Sequence, residues 1–91
     1  MSQTSSIDHQ LSRLDSELKR LEAEYTMFFA GQLPRPPIAA RHRVEALVRQ
    51  YDRTYIQNYG DRFRFSTLQA RFAALTTLWD RGLRAKEEGR R

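Results

Sequence analysis

The chain has 91 residues, of which 40% are hydrophobic, and a formal net charge of +5. This length allows one domain with a small core, and ten aromatic residues exclude a disordered chain. The absence of cysteine excludes disulfides, thiolate nucleophiles and cysteine-ligated metal sites.

The first predicted helix lies within residues 1–33. Its apolar residues are spaced alternately four and three apart: Ile7, Leu11, Leu14, Leu18, Leu21, Tyr25 and Phe28. This is a coiled-coil-like heptad pattern, which Gly31 and Pro34 should end. We expect its base to join the core and its first turns to project.

The leucines of this stripe, here called the heptad seam, are Leu11, Leu14, Leu18 and Leu21. A strict heptad stripe is narrower than the usual inner face of a globular helix, and this one is long for a small domain. We therefore expect the seam to form a protein interface, by self-association or by binding a partner helix. The alternative is that it packs against the two following helices of the same chain.

Residues 34–91 are predicted to form a basic helical hairpin that packs with the base of the first helix as one domain. Helix 2 should cover residues 38–58, with Tyr51 and Tyr55 on its buried stripe. Residues 59–61 are typical of the end of a helix. The alternation of arginine and phenylalanine over residues 62–65 indicates a short extended link between helices. Ser66 and Gln69 match a capping box that would open helix 3. The fold class is therefore all-α: a long heptad helix followed by a two-helix hairpin.

Charge is unevenly distributed along the chain. Three basic and five acidic residues leave residues 1–34 with a net charge of −2, whereas thirteen basic and six acidic residues leave residues 35–91 with +7. Such asymmetry indicates either a polyanionic or acidic partner, or an acidic helix that lies against the basic ones.

Arginines and aromatic residues alternate around residues 51–65, which suggests a nucleic-acid contact: aromatic rings stack on bases while arginines hold phosphates. The candidate anion-binding residues are Arg49, Arg53, Arg62, Arg64 and Arg71. The alternative is that the aromatic side chains fill the corner between two helices, with arginines packed over the rings.

No pattern in the sequence indicates catalysis. His9 and His42 are isolated, since neither belongs to a metal-ligand spacing such as H-x-x-x-H or H-E-x-x-H. The chain also has no glycine-rich phosphate loop. We expect no enzyme activity, metal, cofactor or small-molecule substrate. The proline-rich residues 34–37 are interpreted as a stiff link rather than a ligand for an aromatic groove. With a polar start and no apolar run longer than four residues, the expected location is the cytoplasm.

Residues 18–37, together with 59–69 and 78–82, resemble a small domain family from myxobacteria and related bacteria. The resemblance covers nearly the whole chain and implies a recurring module that is sometimes attached to other proteins. It implies no activity and assigns no binding residues.

The leading hypothesis is thus a non-enzymatic interaction and assembly module that acts through the heptad seam. The alternative is a nucleic-acid-binding protein that uses the arginine and aromatic residues near the start of helix 3. A third hypothesis, contact of residues 27–29 with a membrane surface, is less favoured than burial of these residues in the core.

Overall fold

Three helices make up the fold of the computed structural model, which describes the backbone of residues 3–89 and the side chains of residues 7–89. The helices are α1 (Gln3–Phe29), α2 (Ile38–Arg53) and α3 (Tyr59–Glu88). No strand occurs within these residues. The predicted all-α class, a long N-terminal helix followed by a two-helix hairpin, is confirmed.

Gly31 ends α1 as predicted. Its φ of 85° lies in the left-handed region that favours glycine. The backbone N–H of Gly31 donates to the Phe28 carbonyl at 3.0 Å, and that of Gln32 donates to the Met27 carbonyl at 2.8 Å. These two bonds are the Schellman pair, which satisfies carbonyls that the helix end would otherwise leave unpaired.

The helices run up, down and up. Arg64 near the start of α3 bonds to Asp8 near the start of α1, whereas Trp79 near the other end of α3 stacks on Tyr25. α1 and α3 are therefore parallel. Arg41 at the start of α2 contacts Tyr25 near the end of α1, so α2 is antiparallel to both.

The boundary between α2 and α3 differs from the prediction. α2 ends at Arg53 instead of residue 58, and α3 begins at Tyr59 instead of Ser66. The helix start is set by Asn58, whose side-chain oxygen accepts the backbone N–H of Asp61 at 3.0 Å. This cap satisfies one free N–H group of the first turn, so residues 62–65 are helical rather than extended.

The early start makes α3 30 residues long, or about 45 Å, which exceeds the 27 residues of α1. Two shorter helices would leave part of the heptad seam uncovered, but this longer helix reaches the first turns of α1. The prediction that these turns project from the domain was therefore wrong, since Leu11 and Leu14 are only 1% exposed.

One hydrophobic cluster joins all three helices along most of α1. It contains the four seam leucines with Tyr25, Val44 and Tyr51, and with Ile56, Phe65, Leu68, Phe72 and Trp79. The seam therefore lies in the interior of its own chain, which is the alternative that the spacing left open. In this fold the seam presents no surface to a partner.

Candidate functional site

Two of the five candidate anion-binding arginines are occupied by the acidic first helix. Arg64 donates to Asp8 at 2.8 Å and to Ser12 at 3.0 Å, and Arg71 bonds to Glu22. The acidic helix therefore lies against a basic one, as the charge asymmetry allowed. Each of these exposed pairs is worth only about 0–1 kcal/mol, but together they remove two cations from any anion site.

The other three candidates are exposed. Arg49, Arg53 and Arg62 form no ion pair with the residues that the structure describes. Arg49 and Arg53 lie one turn apart on α2, and Arg62 lies in the first turn of α3. Two of the five arginines thus pair with α1, and the other three lie exposed at or near the turn that joins α2 to α3.

Three aromatic side chains project from this turn, and we call them the aromatic corner. Tyr55 is 81% exposed, Tyr59 75% and Phe63 65%. Tyr55 was predicted to be on the buried stripe of α2, but α2 ends before it and Ile56 is buried in its place. Clustered exposure of large aromatic side chains is uncommon on a monomer and is typical of a contact surface.

A groove of about 390 Å³ adjoins the aromatic corner between the end of α2 and the start of α3. Buried Tyr51, Ile56 and Phe65 contribute to its lining, together with the exposed rings of Tyr59 and Phe63. This volume is at the small end of the range for ligand pockets, so the groove suits one or two side chains of a partner.

Opposite charges flank this groove. Asp52 lines it from α2 and Arg62 lines it from α3. The remaining polar groups in the lining are Thr54, Ser66 and Gln69. The site is therefore apolar and aromatic with one carboxylate and one guanidinium.

The polar side chain with the most partners, Arg41, was not among the residues predicted from the sequence. Its guanidinium donates to the two carboxylate oxygens of Asp80 at 2.9 and 3.2 Å and to the Tyr25 hydroxyl at 3.2 Å, and it pairs with Glu45 at 3.5 Å. Arg41 therefore links all three helices. The i,i+4 spacing to Glu45 was visible in the sequence, but the partners on α1 and α3 lie 16 and 39 residues away.

This contact should make stability depend on pH. The hydrogen bond from Arg41 lowers the pKa of Asp80 below its ordinary 3.8, although partial burial opposes the shift. A lowered folded-state pKa contributes stability that is present above the unfolded value and is lost as the pH falls through the folded value. We expect Asp80→Asn to cost about 0.5–1 kcal/mol at pH 6, because Asp80 is half exposed, and progressively less below pH 3.8.

Urea denaturation of both proteins across this pH range measures the difference. In an Arg41→Met background the same Asp80→Asn change should show little pH dependence, since the partner is gone. An equal pH dependence in both backgrounds would contradict the assignment to Arg41.

At the opposite end of the molecule the large apolar side chains are less exposed than those of the aromatic corner: Met27, Phe29 and Ile38 are 38%, 36% and 41% exposed. Phe28 is buried beneath Lys86, whose Nζ lies 5.4 Å from the ring centre, and Phe29 packs against Gly82, where a Cβ atom would lie only 2.8 Å from the ring. Of residues 27–29, only Phe28 is therefore buried in the core as expected, whereas Met27 and Phe29 are exposed. Within residues 3–89, no helix has the length and apolar character needed to cross a membrane.

Comparison with known proteins adds nothing to this geometry: no family model matches the chain, and neither curated proteins nor solved structures gave a match. The aromatic corner and its groove are therefore the features of this chain that bear on its function.

Proposed function

We propose that the chain is a non-enzymatic protein-interaction module whose contact surface is the aromatic corner with its groove. The carrying observation is the exposure of Tyr55, Tyr59 and Phe63, at 65–81%, beside a groove with buried apolar side chains in its lining. Tyrosine and arginine are, with tryptophan, the residue types enriched among the side chains that dominate binding energy at protein interfaces, and Arg62 lies at the same groove.

Charge favours a polypeptide partner over nucleic acid. Asp52 lies at the groove and Asp61 in the first turn of α3, so a bound phosphate backbone would approach two carboxylates. Arg64 and Arg71 are paired with α1 and are not free to neutralise phosphates. Nucleic-acid sites require a continuous basic surface, whereas protein interfaces accept mixed charge around an apolar centre.

Site-specific photo-crosslinking tests this function in cells of the source organism. A photoreactive phenylalanine analogue replaces Phe63 in one variant and Leu78 in another, since both are exposed positions on α3. We expect a defined polypeptide adduct from position 63 and none from position 78. The crosslinked polypeptide is then identified, purified and titrated against the chain.

The affinity measured in this titration tests whether the aromatic corner is the contact surface. Tyr59→Ser with Phe63→Ser should weaken binding by about tenfold or more, because two aromatic anchors are lost, whereas Leu78→Ser should leave the affinity unchanged. Absence of any adduct at position 63 would contradict the proposal. So would retardation of a single-stranded oligonucleotide that falls steeply with salt, which is the result expected of a nucleic-acid-binding protein.

A further inference from the structure

We infer that the polypeptide partner at the aromatic corner is a second copy of this chain, related by a two-fold axis. The inference rests on the proposed function and names its partner. It follows from the two charges at the groove, Asp52 and Arg62, and from the exposed rings next to them.

Neither the helix dipole nor an ion pair within the chain accounts for the charges of Asp52 and Arg62. Asp52 lies in the last turn of α2, where the helix dipole disfavours an acid, and Arg62 lies in the first turn of α3, where the dipole disfavours a base. Neither forms an ion pair within the described residues. Their neighbours Arg53 and Asp61, by contrast, have the signs that the same helix ends favour.

The arrangement is complementary to itself. A two-fold axis through the groove places Arg62 of one copy against Asp52 of the other, and the reverse pair forms at the same time. Tyr59 and Phe63 of each copy then lie over the apolar lining of the opposite groove. A strongly basic or strongly acidic corner would repel its own copy, but this groove carries one charge of each sign.

The exposed area indicates a weak dimer. Three aromatic side chains at 65–81% exposure supply roughly 400 Å² per copy. Adjacent polar residues add to this, but the total remains below the roughly 800 Å² per partner of a standard interface. We therefore expect a dissociation constant on the order of 10–100 µM.

Sedimentation equilibrium of the purified full chain up to about 1 mM tests the dimer. Arg62→Asp places two carboxylates together, and Asp52→Arg places two guanidinium groups together, so each should weaken dimerisation about tenfold or more. The double variant Asp52→Arg, Arg62→Asp regains both pairs with exchanged signs and should return to within about threefold of the original affinity.

Folding of the variants is not at risk, because each exchange gives its helix end the charge that the dipole favours. Circular dichroism should be unchanged in all three. A chain that stays monomeric to about 1 mM, or a double variant that remains as weak as the single ones, would overturn the dimer. In either case a crosslinked adduct with a different polypeptide at position 63 would leave the proposed function standing.

Discussion

Replacement of Trp79 by alanine should lower the free energy of unfolding by about 3–5 kcal/mol, the largest loss expected from a single side chain here. Trp79 is 3% exposed and stacks on Tyr25 with ring centres 4.2 Å apart and planes 11° apart. Phe72 meets its ring edge-on at 6.4 Å. The substitution therefore removes buried area and the aromatic contact between α1 and α3, and leaves a cavity.

Urea denaturation followed by circular dichroism measures this loss. Trp79→Phe should lose less, because a ring remains to stack on Tyr25. Phe63→Ala serves as the matched control: it removes an aromatic side chain from the same helix, but at a position that is 65% exposed, and should change stability by less than about 0.5 kcal/mol. Equal losses from Trp79→Ala and Phe63→Ala would show that the described core is wrong.

The second large effect concerns the heptad seam. Leu18 is fully buried, and Leu18→Ala should cost about 2–5 kcal/mol of the chain's own stability. For a domain of this size, that corresponds to a melting temperature lowered by roughly 10 °C or more. Leu78→Ala, on the exposed side of α3 at 57% exposure, should cost less than about 0.5 kcal/mol.

Concentration dependence separates the two roles that a heptad seam can have. If the seam is internal, the unfolding of Leu18→Ala is independent of protein concentration when it is measured in the Arg62→Asp background, in which the inferred dimer at the aromatic corner is weakened. If the seam instead joined two chains, the variant would lose association and its melting temperature would vary with concentration. The second outcome would contradict the packing of α1 against α2 and α3.

The heptad seam and the aromatic corner differ in what a partner would have to do in order to bind. A partner that bound the seam would have to displace α3 and expose the core. A partner at the aromatic corner needs no such rearrangement, since Tyr55, Tyr59 and Phe63 are already exposed. The proposed contact therefore leaves the three-helix core intact, and its variants can be tested on folded protein.

Local patterns in the sequence were sufficient for much of the fold. The spacing of Leu11 to Tyr25 identified the buried face of α1, and Gly31 identified its end, because helix periodicity and the left-handed cap depend on near neighbours only. The spacing of Leu68, Phe72 and Trp79 in α3 is the same kind of local helical signal, and all three residues are buried. Local signals failed at the start of α3, where Asn58 proved a better cap than Ser66 and residues 62–65 joined the helix.

Only the tertiary structure decided what covers the buried faces and which charges remain free. A heptad stripe specifies that a face is buried, but it is equally compatible with a helix of the same chain and with a helix of another. The allocation of arginines depends on partners up to 56 residues away, as with Arg64 and Asp8, and no local spacing encodes such pairs. The sequence by itself thus determined an all-α chain with an acidic heptad helix and a basic hairpin. The packing placed that seam inside and left the aromatic corner outside.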